Sequence, residues 1–215
     1  MQLYKSLDNT KEIVLIFGGF ASHHSHFSPF FNNYILISHY KHLDFSALLS
    51  LLKTLPKDSK ITLIAFSMGV FVARIFLNIH NFKFHKNIAI NGTEYGIHKD
   101  YGIPPILFKR TYKQFATNGD LAIKQFKDNL FSEHLEKTRD FVFLDSNTLC
   151  SELVFFMESC VQYNTILAPI HWDFALVSLR DSIFSVQSQN AFWESKNTKI
   201  TFLDAPHFIF FDWKF

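Results

Sequence analysis

Short apolar runs of strand length alternate along the chain with longer stretches of helical spacing. Residues 13–17 (IVLIF) form a β-branched run closed by Gly18 and Gly19, and residues 34–38 (YILIS) form a second, followed by FSALLSLLKTL with helical spacing. Residues 61–66 (ITLIAF) run straight into MGVFVARIFLNI, which has helical length and period, and residues 87–90 (NIAI) end at Asn91-Gly92. Two further runs stand far downstream, residues 173–179 (DFALVSL) and 199–203 (KITFL). Runs apolar at every position, separated by helices, predict a mostly parallel sheet covered on both sides. The alternation breaks over residues 101–164, where LFKRTYKQFA, LAIKQFKDNLF and SELVFFMESCVQYN read as helices with no strand between them. The expectation is an α/β chain with one domain over residues 1–215 and a helical lid at about 101–164 inserted in it.

The sharpest local feature is Ala65-Phe66-Ser67-Met68-Gly69, at the end of a buried strand and the start of a helix. A serine at such a turn matches the nucleophile elbow of the α/β-hydrolase fold, which needs small residues two positions to either side of it. Gly69 is one and Ala65 the other, a variation on G-x-S-x-G. The helix that follows aims its first amides at the place where negative charge develops in acyl transfer. The same five residues could also be no more than a buried strand, a turn and a helix, so the partners decide. In this fold an acid and then a histidine follow the serine along the chain. Asp181 lies just past DFALVSL and His207 just past KITFL, both where loops leave the carboxyl edge of a parallel sheet. Asp204 is the reserve acid, although it stands close in sequence to His207. The expected oxyanion hole is the Met68 amide together with that of Phe20, in the Gly18-Gly19-Phe20 loop after the first apolar run.

Composition narrows the partners. A formal net charge of +2 is too small to make nucleic-acid binding a global property. Lys109, Arg110, Lys113, Lys124, Lys127, Lys137 and Arg139 spread over the helical middle third, as a solvated surface or a docking patch for an acidic partner. Cys150 and Cys160 are too few for a disulfide framework or a zinc site. His23, His24 and His26 lack a carboxylate or cysteine companion for a metal and are expected on a loop near the pocket mouth; His171 is expected to pack or cap. The first ten residues, MQLYKSLDNT, are polar and do not read as a cleavable signal peptide. Residues 61–79 come nearest to a membrane span, but Arg74, Ser67, Gly69 and Asn78 interrupt them. A cytoplasmic protein is expected. The 27 Phe suit a core and an apolar pocket, and carry no function by number alone.

With these pieces placed, the sequence resembles the pimeloyl-[acyl-carrier protein] methyl ester esterases of biotin synthesis, specifically the small BioG type. The resemblance rests on IFGGF, IAFSMGVFVA, AINGTEYGI, YGIPPILFKRT, IHWDFALVSLRDSIFS and APHFIF. Among these, Asn91-Gly92-Thr93, Gly102-Ile103-Pro104 and His171-Trp172 are not general hydrolase features; residues 117–158 match poorly. The resemblance implies that Ser67, deprotonated by His207 with Asp181 behind it, attacks the methyl ester of a pimeloyl chain borne by an acyl carrier protein. Water then hydrolyses the acyl-enzyme. No metal or organic cofactor is implied. The same triad would serve a general carboxylesterase or an acyl-carrier thioesterase. A catalytically silent hydrolase-fold binding protein is the alternative from another class.

Overall fold

The computed structural model describes residues 1–8 and 11–214; Asn9, Thr10 and Phe215, which the expected 1–215 domain includes, lie outside the described residues. Strands β1 (Gln2–Ser6), β2 (Glu12–Phe17), β3 (Tyr34–Ser38), β4 (Lys60–Phe66), β5 (Lys86–Ile90), β6 (Phe174–Ser178) and β7 (Ile200–Leu203) form one sheet, ordered β1-β3-β2-β4-β5-β6-β7. Every pairing is parallel except that of β1 with β3. The period of two along a strand divides the core: Ile13, Leu15 and Phe17 of β2 pack on one side, Val14 and Ile16 on the other.

The helices are α1 (His24–Phe27), α2 (Ser46–Thr54), α3 (Gly69–His80), α4 (Pro105–Thr117), α5 (Gly119–Phe131), α6 (Ser146–Tyr163) and α7 (Val186–Ser195). A right-handed crossover puts its helix on a face set by the direction of travel across the sheet. From β3 onward the chain moves one way, so α2, α3 and α7 share a face, and Leu48, Phe71 and Phe192 meet in one core. Only the step from β2 to β3 runs the other way, and its helix α1 has 4 residues. Both faces are covered, as the pattern predicts, but unequally. On the second face Phe27, Phe66, Phe208 and Phe210 close over the strands with ring centroids 5.0 to 6.4 Å apart.

Two elements have no counterpart in the apolar runs. Strand β1, QLYKS, is an exposed-to-half-buried edge, made a strand by pairing with the fully buried β3. Helix α7 buries Ser188, Gln189, Phe192 and Trp193, a helical stripe disguised by its two polar members. The interruption expected between β5 and β6 is present: α4, α5, a 3-10 segment at Ser132–Thr138 and α6, with no strand among them. Arg74, inside the otherwise apolar α3, is 3% exposed and donates to the carbonyls of Leu167, Ala168 and Glu94. The Glu94 carboxylate lies 3.6 Å from it and accepts from the Ile170 amide and the Trp172 indole, at 2.9 Å each. Among the described residues no helix is long and apolar enough to cross a membrane.

Candidate active site

Strand β4 ends at Phe66, and Ser67 takes up a left-handed backbone with φ of 57°. That conformation costs a non-glycine residue on the order of 1–2 kcal/mol, and here the neighbours hold it. The Ser67 amide donates to the Ile90 carbonyl at the end of β5 (2.8 Å), and the Ser67 carbonyl accepts from Val70 as α3 begins (3.1 Å). The turn leaves no room at Gly69, where a Cβ would lie 2.0 Å from the Phe17 carbonyl oxygen. Ala65 is fully buried in register with Phe17 on one side and Ala89 on the other. These contacts are the physical reason for the small residues at 65 and 69.

His207 and Asp181 come together from the loops after β7 and β6. Nδ1 of His207 lies 2.8 Å from Oδ2 of Asp181, with the two side chains 1% and 0% exposed. A carboxylate only accepts, so Nδ1 carries the proton and Nε2 is left with a lone pair, the arrangement of a general base. The other Asp181 oxygen accepts from the amides of Ile183 and Phe184 at 2.8 Å each, and Gln189 of α7 donates to Oδ2 at 3.1 Å. The imidazole stacks parallel to Phe184 (6.4 Å) and lies 5.1 Å from the ring of Phe66, which places it beside the elbow. Asp204 goes elsewhere: exposed, it pairs with Arg180 at 2.6 Å, and Arg180 also holds Glu133.

Phe20 and Met68 line one cavity with Ser67. Among the described residues neither of their amides has a backbone acceptor. The Gly18–Ala21 loop approaches closely, for a Cβ on Gly19 would lie 2.6 Å from that of Ser67. The cavity, about 520 Å³, is walled by Phe20, Ile103, Phe108, Phe115, Phe126 and Leu153, with Arg110 and Asp128 among its polar lining. Apart from Phe20 and Ile103, those residues come from α4, α5 and α6.

The histidines near the N-terminus are built into the fold. His23 accepts from the Ser25 amide as the cap of α1, and His26 is buried with Nε2 2.8 Å from the Val142 carbonyl. His26 is therefore a tie to the helical insertion rather than a decoration of the pocket mouth. His171 is exposed and lies 3.7 Å from Asp173, so its ring does not pack in the core.

Three supporting residues have roles that the apolar pattern does not record, although Asn91 stands in the Asn91-Gly92-Thr93 stretch of the family resemblance. Gln189 orients Asp181. Asn91, at φ 47° and fully buried, donates to the His207 carbonyl (2.6 Å) and the Ser178 hydroxyl (2.8 Å) while accepting from the Ser178 amide (2.7 Å). It fastens the ends of β5 and β6 to the histidine loop. Trp193 donates to the Gly92 carbonyl at 3.2 Å, and Gly92 presses so closely on Ser67 that a Cβ there would lie 2.2 Å from the serine carbonyl oxygen.

This sheet order, with a strand–serine–helix elbow at its carboxyl edge, defines an α/β-hydrolase. Solved structures share the fold. BioG from Haemophilus influenzae superposes with a TM-score of 0.82 at 22% identity, covering 98% of this chain and 95% of that one. An enol-lactonase from Burkholderia xenovorans LB400 superposes with a TM-score of 0.71 at 13% identity, over 97% and 89%. Within that class, the family model described as pimeloyl-ACP methyl esterase BioG matches residues 4–215, and the chain belongs to this family. A Bacteroides fragilis protein named malonyl-[acyl-carrier protein] O-methyltransferase is 26% identical over 206 residues, 92% of this chain. The chain spans only 40% of that relative's length. An uncharacterized Haemophilus influenzae protein is 28% identical over 152 residues, 70% of this chain and 67% of its own. Family and fold together point to hydrolase or esterase activity.

Proposed function

We propose that the chain is a serine carboxylesterase that hydrolyses the methyl ester of pimeloyl-[acyl-carrier protein], freeing the pimeloyl carboxylate in biotin synthesis. The observation that carries the reading is the buried His207–Asp181 pair at 2.8 Å, beside an elbow serine, in a chain matched over residues 4–215 by an esterase family. Nε2 of His207 takes the Ser67 hydroxyl proton as Oγ attacks the ester carbonyl carbon. The Phe20 and Met68 amides receive the developing oxyanion, and His207 returns the proton to the departing methoxide, which leaves as methanol. Water, deprotonated by His207, then attacks the acyl-enzyme, and the carboxylate and free Ser67 result. Ester and water are consumed, carboxylic acid and methanol formed. No step draws on a cofactor.

The helical insertion acts as a lid, and its Phe-lined cavity suits a methylene chain. The exposed Lys109, Arg110 and Lys113 of α4 give an acidic carrier protein a complementary surface at the cavity rim. The Bacteroides fragilis relative is named for methylating a carrier-bound malonyl group. Removing a methyl group from a carrier-bound acyl chain is the complementary chemistry.

The test is hydrolysis of pimeloyl-carrier-protein methyl ester beside a short free ester. Methanol release is expected to be much faster from the carrier-bound ester. It should fall by at least about 10³-fold in Ser67→Ala and by about 10³- to 10⁴-fold in Asp181→Asn, which disrupts the tautomer Nδ1 needs. Cleavage of the free ester alone would keep the triad and remove the carrier-protein substrate. Release of free carrier thiol instead of methanol would make the chain a thioesterase, and no cleavage of either ester would overturn the reading.

A further inference from the structure

The mechanism above leaves two buried carboxylates unused, Glu94 and Glu152, and only the second reaches the loop of the oxyanion hole. Glu152 of α6 is 1% exposed, and its two oxygens accept from two loops: Oε2 from the Ala21 amide and Oε1 from the Tyr40 amide, each at 3.0 Å. Ala21 is the residue after Phe20, and it sits in the left-handed region at φ 59°, a backbone a non-glycine residue keeps only when its surroundings enforce it. The same loop is held at its other end by Tyr40, whose hydroxyl lies 3.0 Å from the carbonyl oxygens of both Gly18 and Ile37. The segment that presents the Phe20 amide is thus bracketed, by Tyr40 at Gly18 and by Glu152 at Ala21.

The chemistry of the bracket is specific. Two amides from different loops converge on one side chain, and only a carboxylate offers each of them an acceptor. A glutamine would satisfy one N–H and turn its own amino group on the other, and an apolar residue would leave both unpaired. Burial is the main reason Glu152 is pushed up to about 7, and the Ala21 and Tyr40 amides, the N-terminal ammonium and Lys41 only partly offset it. Leu153, the next residue of α6, lines the cavity that contains Ser67. The helix therefore touches both the oxyanion loop and the acyl pocket.

We infer that Glu152 is a positioning residue for the oxyanion hole: it fixes the Gly18–Ala21 loop with the Phe20 amide aimed at the reacting carbonyl, and makes that hole depend on α6 being docked. The inference rests on the serine-esterase reading above.

The experiment compares Glu152→Gln with Glu94→Gln, a second buried carboxylate, which accepts from the Ile170 amide and the Trp172 indole and not from the oxyanion loop. Steady-state hydrolysis of the carrier-bound methyl ester is measured alongside thermal melting. A misaimed oxyanion donor raises only the barrier, so Glu152→Gln is expected to lose about 10- to 100-fold in kcat with KM within about threefold of wild type. Glu94→Gln is expected to melt lower while keeping kcat. If Glu152→Gln does not fold, Glu152→Asp replaces it: the charge is kept but a methylene of reach to both amides is lost, and a kcat loss of similar size at unchanged KM is expected. Unchanged kcat in whichever Glu152 variant folds, or an equal loss in Glu94→Gln, overturns the assignment while the esterase reading stands. A wild-type protein that hydrolyses neither carrier-bound nor free ester overturns that reading, and this assignment with it.

Discussion

At the scale of single residues, two of the buried histidines set how the protein meets acid. His26 donates from Nε2 to the Val142 carbonyl, and its Nδ1 accepts from the His23 amide at 3.3 Å, so a second ring proton would face an N–H. Neither ring nitrogen of His39 has a hydrogen-bond partner among the described residues. Burial is the main reason both hold protons weakly, His26 being pushed down to about 3 and His39 to about 4. The unfolded chain takes up these protons near pH 6.5 and the folded one does not. Their stabilisation is therefore full above pH 6.5 and is lost as pH falls toward the folded values. Glu152 works in the opposite sense: its folded value is raised to about 7, so its contribution is present below about 4.5 and lost as pH rises through 7. Burial also holds His23 down and Glu94 up, so three histidines stand against two carboxyls, and the melting temperature is expected to drop between pH 6.5 and 4.5. His39→Asn, which tolerates the φ of 52° at that position, should make the drop smaller, by a difference on the order of 2 kcal/mol at pH 4.5. Denaturant melts of both proteins across that range check it, and equal slopes would remove His39 from the account.

At the scale of elements, α7 links the fold to the chemistry. Its buried stripe would read as a plain amphipathic helix if Gln189 were leucine. Gln189 is polar because it donates to Asp181 and to the Phe184 carbonyl, while its own Oε1 is buried without a partner. Gln189→Leu removes an orienting donor and an unsatisfied acceptor together. Stability is expected to change by no more than about 1 kcal/mol and kcat to fall by about tenfold. A kcat equal to wild type would show that Asp181 is held without it. The same residue explains what the sequence concealed. The candidate triad of Ser67, Asp181 and His207 was legible because each stands within four residues of the end of a run apolar enough to be recognised as a strand, in the chain order the fold requires. Gln189, Asn91 and Glu152 act across the fold, Glu152 reaching a residue 131 positions away, and no local pattern records such a pairing. Strand β1 was hidden for a related reason: its conformation comes from β3, not from its own residues.

At the scale of the whole molecule, the unequal cover of the sheet gives the phenylalanines a role that their number alone does not. Where only a 4-residue helix crosses, Phe27, Phe208 and Phe210 pack over Phe66 of β4, joined by Leu130 and Phe131 of α5, while other Phe rings line the acyl cavity. Charge is the other property at this scale. A net +2 is nearly neutral, so the proposed attraction for an acidic carrier protein would have to be local, and Lys109 and Lys113 on the outer face of α4 are exposed candidates for it. Reversing both, Lys109→Glu with Lys113→Glu, is expected to raise KM for the carrier-bound ester by about tenfold at low salt and less at high salt, where exposed charges are screened. Hydrolysis of the short free ester should be unaffected. Equal loss on both substrates would place these lysines in the pocket's architecture instead of at a docking surface.

The bond from Trp193 to Gly92 has an optical consequence. Trp193 is fully buried, packs edge-on against Trp172 at 5.9 Å, and is joined through the Gly92 carbonyl to the backbone pressed against Ser67. An indole's emission shifts with the strength of its hydrogen bond and the field around it. If Ser67 is acylated as proposed, Trp193 is the tryptophan placed to sense it, and a transient change in emission during turnover that is lost in Trp193→Phe is the expected outcome in stopped-flow fluorescence.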